Sequence, residues 1–282
     1  MGATRNMLAW CTEREGSTRA VGLLRIALAS IILARYGREV GFYAADNIYY
    51  LLLGVYLFAL SALMLLGYCA RAATALTAAT LVFMYFLFGN SPGQFGWNSH
   101  HSYVLMISVV FLSFTPCDRS YSLDRYLAVR RAEAEGRPAP PEFGRLWATR
   151  LIGLQMSAIY FWTAIDKTDW AFLSGQRLEQ IMVWHYSGRP LEEFFLWSPL
   201  LIAASVAVVA VEYFLSFAIH VRPLQWIAIP MGIVLHAVFY VMLPVETYSI
   251  TMIALYLVVV SPEAVHRFMD GMHGHAPVTH RI

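Results

Sequence analysis

An all-α, polytopic transmembrane helical bundle is the fold class this sequence predicts, and three observations predict it. Apolar residues make up 59% of the 282-residue chain and charged residues 13%, about half the roughly 25% usual in soluble domains. Runs of about 20 mainly apolar residues, the length needed to cross a ~30 Å hydrocarbon core, recur along the chain. Finally, arginine is spread unevenly over the segments between those runs, as expected when one set of loops stays in the cytoplasm.

The first nineteen residues hold Arg5, Glu13, Arg14, Glu15 and Arg19 with no apolar stretch between them. No cleaved secretory signal is expected there, and the first apolar segment drives insertion. Segments 20–37, 47–68, 71–89, 100–116, 147–166, 195–219, 224–243 and 245–261 then read as about eight spans. Pro92, Pro116, Pro199 and Pro244 fall at span ends, where helix termination is inexpensive. Pro230, interior to the seventh span, is expected to kink it. The division is therefore a cytoplasmic segment 1–19, a transmembrane domain 20–262, and a cytoplasmic tail 263–282 with His266, His273, His275 and His280. Such a tail is a weak metal binder or simply a flexible end.

Orientation follows from seven arginines (Arg119, Arg125, Arg130, Arg131, Arg137, Arg145 and Arg150) around the fourth connection, 117–146. They place this loop, and with it both termini, in the cytoplasm. Pro138, Pro140 and Pro141 break helix there, so the loop reads as a solvated connector with a short helix near Leu123 to Arg131. The loop 167–194 falls outside, flanked by interfacial Trp170, Trp184 and Trp197. A formal net charge of +2 and the lack of a basic, aromatic-interleaved run exclude a nucleic-acid partner. The three cysteines, Cys11, Cys69 and Cys117, are too far apart in sequence for a paired thiol motif. No metal is expected, because no histidine or carboxylate pair has i,i+4 spacing inside a span.

Ionisable residues inside spans cost at least ~2.5 kcal/mol on insertion scales, so each is a functional candidate. Arg25 and Glu212 fall in the inner halves of the first and sixth spans and are expected to form a structural pair. Lys167, at the end of the fifth span, is the only lysine in a chain with nineteen arginines. Lysine alone of the two is readily neutralised by desolvation, which makes it a base; the alternative is a lysine that snorkels to the headgroups. His100 and His101 open the fourth span behind Ser99, a candidate helix cap. Either histidine suits proton transfer or a polar ligand, or is an interfacial residue without chemistry. His236 lies past the middle of the seventh span. The topology brings His101, Lys167 and His236 to one outward-facing pocket.

Taken in order, these residues are shared with a known family. Trp97-Asn98 with His101-Ser102-Tyr103, then Ser122-Leu123-Asp124, then Arg150-Leu151, Gln155, Tyr160-Phe161, Lys167, Trp170 and Gly175 resemble the membrane domain of vitamin K-dependent gamma-glutamyl carboxylase. They equally resemble its short bacterial relatives, the HTTM (horizontally transferred transmembrane) domain proteins. Glu212 and His236 sit where that family has a glutamate and an intramembrane histidine. The resemblance implies a quinol-dependent enzyme modifying an exported peptide or protein. Its cofactor is a reduced quinone (vitamin K or menaquinone hydroquinone), with O2 and CO2 as co-substrates if it carboxylates glutamate and forms quinone epoxide. Lys167 is then the base that deprotonates the hydroquinone and His101 the second catalytic residue. Trp97, Asn98, His100, Tyr103, Tyr160 and His236 line the cofactor pocket. Membrane lipid, quinone and the exported substrate are the partners, and the setting is a bacterial inner (plasma) membrane with the active face outside.

The chain departs from the carboxylase in three respects. It ends soon after the last span, without the large extramembrane region that holds the peptide substrate. One extra residue separates Asn98 from His101, which leaves the choice between His100 and His101 open. Asp166 stands where the carboxylase has a basic residue. A non-catalytic membrane partner for maturation or export of a secreted peptide is the alternative function.

Overall fold

The computed structural model describes residues 14–43, 48–89, 99–190 and 192–272. They form thirteen helices and a two-stranded ladder, in two compact units: Met1–Ile152 with Ala254–Ile282, and Gly153–Ile253.

The first unit is built on four consecutive helices. These are α1 (Arg19–Tyr43), α2 (Ile48–Leu66), α3 (Ala70–Gly89) and α4 (His100–Ser113), each packed on the next. Val21, Leu24, Leu28 and Ile32 of α1 are buried, the i, i+3, i+4 spacing of one helix face. Small buried residues of α3 (Ala70, Ala73, Thr74, Thr77, Ala78) let its neighbours approach closely. Leu52, Val55 and Phe58 of α2 point outward, as a lipid-facing surface requires. Ser99 caps α4, its hydroxyl accepting the Ser102 N–H.

Two stretches carry more order than expected, the first beyond the short helix predicted within it. In the 117–146 segment, α5 (Leu123–Ala134) is capped by Ser122. The β2 strand (Phe143–Arg145) pairs antiparallel with β1 (Glu15–Ser17), Glu15 opposite Arg145. Asp124 reaches from α5 to cap α3, its carboxylate accepting the Cys69 N–H at 2.9 Å and the Ala70 N–H at 2.7 Å. The segment is therefore no free connector. Part of the tail is helical as well: α13 (Pro262–Met272) follows α12 (Glu246–Val259) after a bend of 97°. Residues 273–282, with His273, His275 and His280, lie outside the described residues.

Ion pairs tie α13 to that segment. Arg19 binds Glu142 at 2.8 Å and Asp270 at 2.5 Å, Arg125 takes the other Glu142 oxygen at 3.0 Å, and His266 bonds Ser17 at 2.9 Å. The beginning, middle and end of the chain thus meet in one polar corner.

The second unit takes α6 (Trp147–Lys167) from Gly153 onward, three short helices, α10 (Ser198–Ala218) and α11 (Arg222–Met242). The short helices are α7 (Trp170–Leu173), α8 (Gln176–Tyr186) and α9 (Glu192–Phe195), and they occupy the outer loop expected over 167–194. Gly175 makes the turn from α7 to α8 at φ +82°, and a Cβ there would meet the Ile202 backbone nitrogen at 3.0 Å. Both demands select glycine.

Helices stand at all eight expected span positions, but length and hydropathy qualify only five of the described helices as crossings, or six if α12 and α13 form one bent span. The reasons are geometric and chemical. With fourteen residues each, α4 and α12 extend only about 21 Å at 1.5 Å per residue. α6 is long enough, yet it carries Arg150, Gln155, Asp166 and Lys167.

Candidate functional site

The second unit gathers four of the residues singled out above. Lys167 ends α6, and its Nζ donates to Glu212 Oε1 of α10 at 2.5 Å. The lysine side chain is 22% exposed and the glutamate 3%, so the pair is nearly closed on the carboxylate side. Phe172 of α7 and Phe239 of α11 present their rings to the ammonium, at 6.0 and 5.9 Å from Nζ. Such contacts favour a cation in a place short of water.

The two carboxylates flanking Lys167 are occupied elsewhere. Arg177 of α8 lies 3.0 Å from Asp169 and 3.9 Å from Asp166. Asp169 also caps α7, accepting the Phe172 N–H at 2.7 Å. Glu212 is thus the carboxylate that faces the lysine nitrogen.

One ring beyond lies a buried dyad. Tyr160 of α6 and His236 of α11 are each about 1% exposed, and the tyrosine hydroxyl sits 2.8 Å from His236 Nε2. Phe239 and Tyr248 pack edge-on against the imidazole. His236 Nδ1 and Glu212 Oε2 are buried without a hydrogen-bond partner among the described residues. Buried polar atoms left bare are costly, and in a native protein they call for an explanation.

A cavity of about 610 Å³ opens beside Lys167. Phe172, Ile181, Trp184 and the turn Leu243–Val245 give it apolar walls, while Asp166, Lys167, Arg177, Gln180 and His185 supply polar atoms. Its size and character suit a small, mostly apolar ligand with a polar head. Sequence reasoning missed His185, Phe172 and Phe239. Their only signal was position: Phe172 and His185 lie in the segment after the lysine, and Phe239 lies one turn beyond His236.

The expected Arg25–Glu212 pair is corrected. Glu212 takes Lys167, whereas Arg25, fully buried in the first unit, donates from Nη2 to the Tyr121 carbonyl at 2.5 Å. Counting depth along spans sets the end of α6 level with the start of α10. The folded 168–197 segment breaks that assumption and puts a residue fourteen positions into α10 within reach of Lys167. Arg25 instead lies against Gly67, whose missing side chain leaves the guanidinium its room.

The other expected site residues lie in the first unit or outside the description. His101, half-buried, and Tyr103, whose ring packs on Tyr85 of α3, stand in the first turn of α4, as does His100. Trp97 and Asn98 fall outside the described residues.

The family model of the HTTM domain matches residues 38–263. No curated protein and no solved structure matches the chain.

Proposed function

Because the chain belongs to the HTTM domain family, we propose that it is a quinol-dependent membrane enzyme acting on an exported peptide or protein. The HTTM domain is associated with vitamin K-dependent carboxylase-like membrane proteins, and the apolar helices make this a multi-pass membrane protein. The observation that carries the finer reading is the sole lysine of the chain at the edge of an apolar cavity, backed by a buried carboxylate.

The residues present fit a reduced quinone. The cavity walls are aromatic and aliphatic, the cationic Lys167 and Arg177 stand at its polar side, and Glu212 and His236 each keep a bare buried polar atom. A bound hydroquinone would supply, with O2, the strong base for γ-proton removal from a peptide glutamate. This chain's part is to hold the ring against Phe172 and Trp184, exclude water with those walls, and accept a hydroxyl proton at Lys167 Nζ. Tyr160 and His236 keep one another oriented beside Phe239. The arginine-rich 119–150 stretch is assigned to the cytoplasmic face of a bacterial inner membrane.

The test is direct. Wild type and Lys167→Ala are purified in lipid, bound quinone is extracted, and reduced quinone with oxygen is supplied. Epoxide from wild type and none from a folded Lys167→Ala is the expected result. Folded wild type that neither carries quinone nor forms epoxide sinks the enzyme reading.

A second reading has one observation in its favour. Trp170, Trp184, Phe194 and Trp197 are all more than half exposed across the short outer helices, a surface on which a peptide undergoing export or maturation can rest without chemistry. Under that reading Lys167→Arg is harmless and substitutions of Trp170, Phe194 and Trp197, which lie outside the cavity lining, abolish function; under the enzyme reading Lys167→Arg abolishes it and those three are tolerated.

A further inference from the structure

We propose that Glu212 is the terminal proton acceptor of this site and that Lys167 relays the proton to it from the cavity. The proposal rests on the reading of Lys167 as the group that takes a proton from a bound acid, and it reassigns where that proton ends.

Lys167 lines the cavity, whereas Glu212 stands behind it, 3% exposed, with Oε1 2.5 Å from Nζ. An ammonium has no lone pair and accepts nothing. A lysine paired to a buried carboxylate becomes a base only by first giving its own proton away, and Glu212 is the acceptor within reach. Asp166 and Asp169 are held by Arg177. The Thr163 hydroxyl donates to the Ile159 and Tyr160 carbonyls, and Glu212 Oε2 has no partner among the described residues. At 3% exposed and 2.5 Å from Nζ, Glu212 can take the lysine proton without that proton passing through water.

The protons balance. One Nζ–H bond of Lys167 breaks as an O–H bond forms on Glu212, leaving an amine and a carboxylic acid. The amine lone pair then takes the proton of an acidic hydroxyl in the cavity, N–H forming as that O–H breaks. At the end Lys167 is an ammonium again, Glu212 carries one proton more, the bound acid carries one fewer, and net charge is unchanged. Glu212 bonds the lysine and does not line the cavity, so it acts as a positioning residue that also stores the proton.

A chain with one lysine makes this measurable. Full-length wild type, Glu212→Gln and Glu212→Asp are prepared in lipid, with size-exclusion and thermal unfolding as folding controls. Without ligand, acylation at Lys167 is followed by mass spectrometry; it should be at least about ten-fold faster in Glu212→Gln, the low end of what losing an adjacent opposite charge does to an amine. With reduced menaquinone under anaerobic conditions, infrared difference spectra should show the carbonyl stretch of a newly protonated carboxylic acid in wild type. That band should vanish in Glu212→Gln and move in Glu212→Asp. Should Glu212→Gln not fold, the moved band of Glu212→Asp carries the test. An unchanged band in either variant, equal acylation rates in folded proteins, or no band in wild type shown by extraction to hold quinol each overturns the proposal. Wild type that holds no quinol overturns the quinol reading, while the acylation rates still decide whether Glu212 governs the amine.

Discussion

Deleting a single oxygen tests whether the buried dyad behaves as the geometry requires. Tyr160→Phe keeps the ring and removes the hydroxyl that sits 2.8 Å from His236 Nε2. Because Nδ1 already has no partner among the described residues, both imidazole nitrogens are then bare in a site about 1% exposed. Two magnitudes compete. Leaving a buried polar group unsatisfied costs ~1–3 kcal/mol, whereas hydrogen bonds between membrane helices measure ~0.6 and at most ~1.7 kcal/mol, because the unfolded state in lipid finds other partners. Near-complete burial favours the upper part of the second range, so Tyr160→Phe should cost about 1–1.7 kcal/mol. His236→Leu removes both ring nitrogens, and on that background the same tyrosine change should cost close to nothing. The assay is reversible unfolding by detergent titration in mixed micelles for wild type, both single variants and the double variant. A coupling near 1 kcal/mol is expected. Costs that add within ~0.3–0.5 kcal/mol, as for independent sites, refute the reasoning.

Three further outcomes follow from other contacts. Gly67 has φ +71°, and a Cβ there would collide with Arg25 and lie 2.7 Å from Ser122 Cα. Gly67→Ala should therefore cost more than the ~1–2 kcal/mol of a left-handed alanine. Gly136→Ala, at φ +64° with nothing within 4 Å, should cost only that backbone amount, and equal costs at the two sites would contradict the packing described. His220 lies in the turn between α10 and α11, bonded to Ser157 at 2.7 Å, and desolvation by its neighbours lowers its proton affinity. The unfolded chain then binds more protons, so stability should fall as pH drops through about 6.5; His220→Asn should flatten that slope in thermal unfolding from pH 8 to 5. In a Cys11→Ser background, a thiol reagent should modify exposed Cys69 quickly and Cys117 only on unfolding. Burial both hides the Cys117 sulfur and pushes its thiol up in pKa, and comparable labelling rates would show that the 117–122 turn is open.

Much of the fold is readable from composition because lipid constrains helices so strongly. The runs behind α1, α2, α3, α10 and α11 are long and apolar enough to announce themselves. α4, α6 and α12 blur the count, since a helix packed among others tolerates being short or polar in ways a lipid-facing one does not. The β1–β2 ladder was illegible: three residues on each side, with even the nearest partners, Ser17 and Phe143, 126 positions apart, leave no periodicity to find. For the candidate site, rarity was the useful signal, a lone lysine and two intramembrane acids and bases. Partner choice was not legible, because it depends on how the 168–197 segment folds under the bundle. Glu212 was visible as a problem in the sequence, but Lys167 as its answer appeared only in three dimensions.

The polar corner made by Arg19, Glu142 and Asp270 has a consequence for biosynthesis. Arg19 leaves the ribosome well before Glu142, and Glu142 well before Asp270, so the corner stays open until α13 has emerged. Helices α1 to α4 can insert and pack beforehand, but β1 and the arginine-rich segment wait for α13 to bring Asp270 and His266. This long-range closure is entropically late. A nascent chain stopped before residue 270 therefore holds Arg19 with only one of its two carboxylates, and the polar corner closes as a unit only when α13 docks.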